Sequence, residues 1–243
     1  MSSGILYIVA TPIGNLEDMT FRAVRILKEV VDIVYCEDTR QTRKLLTHFG
    51  ITIPAYSLHT HSSAQKIAGI IDQLGEGRAI AYVTDSGTPG LSDPGSRLVA
   101  AARGQGIPVC PVPGPSALAA IVSVSGYHGK TVLFGGFLSK KEGRRKKELA
   151  AFREFNGIIV LYESPYRIKK LLSAIGEVFP GRTILIGREM TKLHEEFLYD
   201  TVENLMAPAA PVKEKGEFSV VIYNDLRDQP EEPGDEGDEA EEP

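Results

Sequence analysis

Short apolar runs alternate with amphipathic helical patterns along most of this 243-residue chain. Residues 5–10, 32–36, 53–58, 79–83 and 107–112 are apolar runs of strand length. Between them, 18–31, 40–49, 62–74 and a stretch from Pro94 read as helices. In the first, Ala23, Val24, Leu27, Val30 and Val31 keep the spacing of one helix face. Strand-helix alternation of this kind argues for an α/β class, with a mostly parallel sheet covered on both faces. After a helix over 115–125, Gly126-Tyr127-His128-Gly129 breaks the pattern and is read as a domain boundary. A first domain over 1–126 and a second over 127–226 are expected. In the second, strands are expected at 131–137, 157–162, 182–187 and 218–223, with one more within 191–202. Helices are expected at 149–155 and 166–179, with a helical turn at 203–206.

The fourth apolar run leads into Thr84-Asp85-Ser86-Gly87-Thr88-Pro89-Gly90-Leu91-Ser92-Asp93-Pro94-Gly95. Glycines and small hydroxyl residues let a backbone come close to a ligand, and strand carboxyl ends are where open α/β sheets bind ligands. No Lys follows these glycines and no G-x-G-x-x-G occurs, so neither a P-loop nor a dinucleotide fingerprint is present. A second small-residue loop, Pro111-Val112-Pro113-Gly114-Pro115-Ser116-Ala117, opens an Ala-rich helix. Ser116 there has two readings, a helix N-cap or a ligand contact.

Further segments are Ala10-Thr11-Pro12-Ile13-Gly14-Asn15, Cys36-Glu37-Asp38-Thr39-Arg40, Tyr162-Glu163-Ser164-Pro165 and Gly187-Arg188-Glu189-Met190-Thr191-Lys192. In this order, the set resembles the tetrapyrrole-methylase superfamily over about residues 4–224, and most of all its ribosomal-RNA branch. The resemblance implies a two-domain fold with a mixed second sheet, and S-adenosylmethionine held in the cleft between the domains. It implies cofactor contacts at Ile13, Gly87, Thr88, Leu91, Ser116, Ala117 and Tyr162 or Glu163. Thr88 stands where many relatives carry Asp. The activity it implies is 2'-O-ribose methylation of a cytidine in the decoding region of 16S ribosomal RNA. The partner would be that RNA, within the small ribosomal subunit, and the chain would be a homodimer. Two alternatives remain open: a precorrin-type tetrapyrrole methyltransferase, and a ribosome-assembly factor that binds RNA without turnover.

A ribose hydroxyl is a poor nucleophile until it loses its proton, so a base or a cation nearby would help. Candidates are Asp38, Glu163, Glu189 and Lys192, the last either stabilising an alkoxide or, with a depressed pKa, taking the proton. Asp38 with Arg40, and the cluster around Glu189 and Lys192, also read as structural ion pairs. For RNA phosphates the candidates are Arg144, Arg145, Lys146 and Lys147, within six basic residues over positions 140–147.

Charge and cysteine content agree with this reading. Residues 228–243 carry nine Asp and Glu and no Lys or Arg, a composition that cannot bury enough apolar surface to fold. Without them the 27 basic residues face 23 acidic ones, 32 less nine, so a mildly basic body hides behind a formal net charge of -5. Cys36 and Cys110 lie in apolar runs and are expected to be reduced thiols. His59 and His61 would share a strand face, but no third ligand is near and no metal is expected. No signal-peptide pattern and no apolar run of membrane-spanning length occurs, so a cytoplasmic protein without a membrane partner is expected.

Overall fold

A computed structural model describes residues 4–59, 62–91, 95–208 and 212–225. The acidic tail, His61 and Ser92–Pro94 of the glycine-rich turn lie outside the described residues. The first five strands are β1 (Leu6–Val9), β2 (Ile33–Cys36), β3 (Ala55–Ser57), β4 (Ile80–Val83) and β5 (Val109–Val112). They form one parallel sheet in the order β3-β2-β4-β1-β5. Every residue of β2 and β4 is buried, as expected where helices cover both faces. Those helices are α1 (Phe21–Glu29), α2 (Thr39–His48), α3 (Ala64–Gly75), α4 (Gly95–Gly104) and α5 (Ala117–Ser123). On one face Ala23 and Leu27 pack with Val9, Val34 and Val83; on the other Ile70, Leu74 and Leu98 pack with Leu6, Ile80 and Tyr82.

Local capping sets the helix starts. The expected helix over 18–31 splits into a 3-10 turn at Leu16–Asp18 and α1, because Thr20 accepts a hydrogen bond from the Ala23 N–H at 3.1 Å. Asp38 caps α2 by accepting from the Arg40 N–H at 2.8 Å, and Gly50, at φ +61°, turns the chain away after it.

The second sheet runs β6-β7-β10-β8-β9, with β6 (Val132–Phe137), β7 (Gly157–Glu163), β8 (Thr183–Arg188), β9 (Glu196–Thr201) and β10 (Phe218–Asn224). Only the β6–β7 pair is parallel, so this sheet is mixed. Helices α6 (Glu142–Ala150), α7 (Ile168–Val178) and α8 (Val202–Leu205) stand on one face. The other face packs on α5: Ile121 meets Ile158, Val160, Leu185 and Val221 in a core that also takes in Ile13 and Met190. One helix of the first half thus completes the core of the second. The basic stretch differs from expectation. It is itself helical from Glu142, held by the i,i+4 pairs Glu142–Lys146 and Arg144–Glu148, and the helix ends at Ala150. Among the described residues no helix is long and apolar enough to cross a membrane, and no cluster of three metal-ligating side chains occurs.

Candidate functional site

Strands β4, β1 and β5 are neighbours and parallel, so the loops at their carboxyl ends fall side by side. Hydrogen bonds tie these loops together. Thr11 and Gly87 exchange backbone bonds at 3.0 Å, and the Thr11 hydroxyl donates to the Thr84 carbonyl at 3.1 Å. The Thr88 hydroxyl reaches the Pro115 carbonyl of the third loop at 2.9 Å. Gly87 sits at φ +82°, where side chains are strained, and a Cβ there would come within 3.3 Å of Ile13 Cγ2.

Between these loops and the second sheet lies a cavity of about 440 Å³. Ile13, Gly87, Thr88, Leu91, Ser116, Ala117, Tyr162 and Glu163, the eight candidate cofactor contacts, all line it. The wall also holds Glu37, Asp85 and Glu217, with Phe137 and Met190, and among the described residues no Lys, Arg or His. Glu163 and Glu217 are paired with Arg167 and Lys192 from outside the wall, and the remaining excess of carboxylates suits a ligand of positive charge. S-adenosylmethionine carries a sulfonium and an ammonium against one carboxylate, so its net charge matches this wall. The volume lies within the range of small-molecule sites, and apolar side chains flank the polar ones, so the residues fit that cofactor.

Ser116 stands at the N-cap position of α5 but makes no capping hydrogen bond. Across from it on β7 stands Tyr162, whose phenol faces Ser116 and Leu118 at the start of α5. Burial pushes the Tyr162 phenol up to about 12, with the hydrogen bonds to Leu118 and Ser116 acting the other way. Phe134 and Phe137 pack edge-on against its ring, with centroids 4.9 and 5.7 Å away. Glu163 is placed differently from a free base. Its side chain is 1% exposed, pairs with Arg167 at 2.6 Å and accepts the Ser164 N–H at 2.7 Å. Taking a proton would break that pair.

The turn after β8 is strained, with Glu189 at φ 52° and Thr191 at φ 67°. The Glu189 N–H donates to the Glu217 carbonyl, the Glu217 N–H donates to Glu189 Oε1, and the Thr191 N–H donates to Glu195. This bracing delivers Met190 to the cavity and lays Lys192 against Gly14, where any Cβ would overlap the lysine side chain. Lys192 Nζ bonds Glu189 and Glu217, each at 2.9 Å. Burial alone would lower the Lys192 pKa, but these two carboxylates outweigh it and raise it. This favours the alkoxide-stabilising alternative for Lys192, a fixed cation, over the proton-accepting one. Burial alone would raise Glu189, and Lys192 with the Glu217 N–H holds it below its ordinary value.

Beside the cavity runs a groove of about 520 Å³ between the first loop and α2, lined by Gly14, Gln41, Lys44 and Lys192 among others. Ile13, Thr84, Asp85, Ser86 and Glu217 line both spaces. Asp38 lines neither. Its carboxylate is taken by the Arg40 side chain and N–H, which hold it down at about 2, and it is a poor proton acceptor. Its own N–H donates to Asp85 Oδ1 at 3.0 Å. Asp85 is exposed at the surface of the cavity, and partial desolvation, aided by the Asp38 charge, pushes it above the usual carboxylate value, while the Asp38 N–H and Arg40 act the other way. Asp85 was not among the sequence candidates. Its signal was position: a carboxylate two residues past the end of a fully apolar strand.

The four candidate phosphate contacts lie apart from both spaces, on α6. Arg145 is 3% exposed, its guanidinium spent on the carbonyls of Ser139 and Lys140. Lys146 pairs with Glu142 and Glu177, and Arg144 with Glu148. Of the four, Lys147 alone is exposed without an ion pair among the described residues.

Residues 5–206 match the family model for tetrapyrrole (corrin/porphyrin) methylases. The ribosomal RNA small subunit methyltransferase I of Leptospira biflexa is 45% identical over 215 residues, 88% of this chain and 89% of that protein. The protein of the same name from Bacillus subtilis is 41% identical over 229 residues, covering 94% and 78%. Among solved structures, diphthine synthase superposes with a TM-score of 0.70 at 14% identity over 90% of each chain. A cobalt precorrin-4 methyltransferase superposes at 0.65 and 15% identity over 90% and 94%; both likenesses concern the fold. The fold, the matched residues and the relatives agree: this chain belongs to the tetrapyrrole methylase family, and within it to the ribosomal RNA small subunit methyltransferase I group.

Proposed function

We propose that this protein transfers a methyl group from S-adenosylmethionine to the 2'-oxygen of a cytidine in 16S ribosomal RNA, in the decoding region of the small subunit. The observation that carries the reading is the meeting of two unlike spaces at Asp85: an acidic cavity and a groove that holds cations. The relatives at 41–46% identity share the RNA-methyltransferase name, which favours RNA over a tetrapyrrole acceptor.

Gly87, Thr88, Ser116 and Tyr162 would hold the cofactor, through backbone approach and hydroxyl groups. When bound, it supplies an electrophilic methyl on a sulfonium, and the C–S electron pair stays with sulfur as the methyl leaves. Asp85 accepts the ribose hydroxyl proton as the new O–C bond forms, a task its raised pKa improves. Lys192 stabilises the negative charge building on the ribose oxygen, and its two carboxylate partners fix its position. Ile13, Phe137 and Met190 give the cavity apolar walls, which disfavour water beside the methyl group.

The protein acts in the cytoplasm, as a homodimer. Edge strand β9 supports the dimer: it exposes Phe197 (41%) and Tyr199 (63%) at alternate positions, an apolar strip that a second copy would cover. Light scattering should give about twice 26.4 kDa, and a monomer at micromolar concentration overturns this part. The activity itself is tested by offering labelled S-adenosylmethionine with small ribosomal subunits or with corrinoid precursors. Label should enter the RNA of the subunits; label in the corrinoid would reverse the reading, and binding without transfer would leave an assembly factor.

A further inference from the structure

We propose that the exposed face of α2 is the track on which the RNA backbone lies before it enters the groove; this rests on the RNA-methylation reading above. Arg40, Arg43, Lys44, Thr47 and His48 fall at i, i+3, i+4, i+7 and i+8 and so share one helix face. All five are exposed, and together they line a shallow depression of about 540 Å³. The opposite face buries Thr42 and Leu46 against the first sheet, which fixes the rotation of the helix.

The charge on this face is available. Thr39 to His48 contains no acidic residue, so Arg43 and Lys44 have no carboxylate at i±3 or i±4. Lys44 bonds only weakly within the helix, to Gln41 at 3.3 Å. Arg40 pairs with Asp38 yet keeps its side chain 85% exposed. On α6, by contrast, Arg145 is buried and Lys146 is paired twice, and Arg144 and Lys147, though exposed, line neither the depression nor the groove.

Continuity with the site favours RNA as the occupant. Lys44 lines both the depression and the groove, and the groove runs on past Lys192 to Asp85. A strand of phosphodiesters can follow that path, whereas a flat anionic bilayer can touch the helix but cannot enter the groove. From residue 40 to 48 the helix rises about 12 Å, against about 3.4 Å per stacked nucleotide, so more than one phosphate can face it.

The test is the double substitution Arg43→Glu with Lys44→Glu in the full chain, binding small ribosomal subunits between 50 and 200 mM salt. Losing two phosphate contacts should flatten the log–log salt slope by about 1.4, so that the variant loses about sevenfold less affinity than wild type over that range. S-adenosylmethionine affinity, read by calorimetry, should stay at wild type and shows that the variant is folded. The matched α6 substitution, Arg144→Glu with Lys147→Glu, should leave the slope alone. A wild-type slope in the α2 variant, or equal flattening in the α6 variant, overturns the track. So does α2-dependent binding to phosphatidylserine vesicles with none to subunits. If wild type transfers methyl to no RNA, the parent reading has failed; if it methylates RNA and the slope is unmoved, only the track has.

Discussion

The cavity and the groove beside it share five residues and differ in charge: the cavity wall is acidic, whereas in the groove Lys44 and Lys192 balance Asp85 and Glu217. The cavity wall is backbone, small hydroxyl residues and carboxylates, with no cation among the described residues. The groove adds Lys44 and Lys192 and opens on Arg40 and Arg43 of α2. The first matches a small cation, and the second leads from the basic face of α2 that a polyanion would meet, so a donor and an acceptor of unlike charge can occupy adjoining spaces without competing. Their shapes also have different origins. Loop hydrogen bonds at three neighbouring strand ends shape the cavity, whereas ion pairs reaching 25 residues along the chain hold the groove's lysine in place.

The junction is where the contrast breaks most sharply. Asp85→Asn keeps an acceptor for the Asp38 N–H but removes the base, so the single-turnover methylation rate should fall about 100-fold. Cofactor affinity should stay within about twofold of wild type. The wild-type rate should climb with pH as Asp85 loses its proton, at a midpoint above the usual carboxylate value, and the climb should vanish in the variant. A group whose folded pKa is raised destabilises the fold as pH rises through it, so the variant should melt no lower than wild type at neutral pH. A near-normal rate would remove Asp85 from the chemistry.

Gly87→Val attacks the cavity alone. It places a branched side chain at φ +82° within reach of Ile13, and calorimetry should show at least a 30-fold loss of S-adenosylmethionine affinity, about 2 kcal/mol. Subunit binding without cofactor should be unchanged. Lys192→Ala attacks the groove alone. The rate should drop about tenfold with little change in cofactor affinity, and the melting temperature should fall because Glu189 and Glu217 lose their shared cation. An unchanged rate would make this cluster purely structural. The smallest effect is expected from Asp38→Asn. With a folded pKa near 2, Asp38 adds stability that is present above about pH 4 and lost as pH falls towards 2. The variant should lose that acid limb of the melting curve, by no more than a few degrees because the pair is exposed.

The cavity was legible because its parts are local. Small residues after an apolar strand announce a close-approach loop wherever the strand lies in the sheet, and the eight contacts that the family resemblance implied line one space with those loops. What the ionisable residues do was less legible, because burial and distant partners decide it. Lys146 meets Glu177 from another helix, and Lys192 meets Glu217 from beyond β9, so part of a dense basic run is neutralised and Lys192 is held as a cation. Arg145 lost its surface to the Ser139 and Lys140 carbonyls between β6 and α6, a contact no charge count reveals. Asp85 stood in plain view within the quoted turn, but its raised pKa comes from partial desolvation and the charge of Asp38, neither of which the sequence reveals.

The most direct measurement is nucleotide-level mapping of 2'-O-methyl groups in 16S RNA. Small subunits lacking the modification would be incubated with S-adenosylmethionine and this protein. A 2'-O-methyl group blocks alkaline cleavage of the adjoining linkage, so the account predicts one new resistant position, at a cytidine of the decoding region, that fails to appear with Asp85→Asn. Methyl found on a base, at scattered positions or nowhere in the RNA would contradict it.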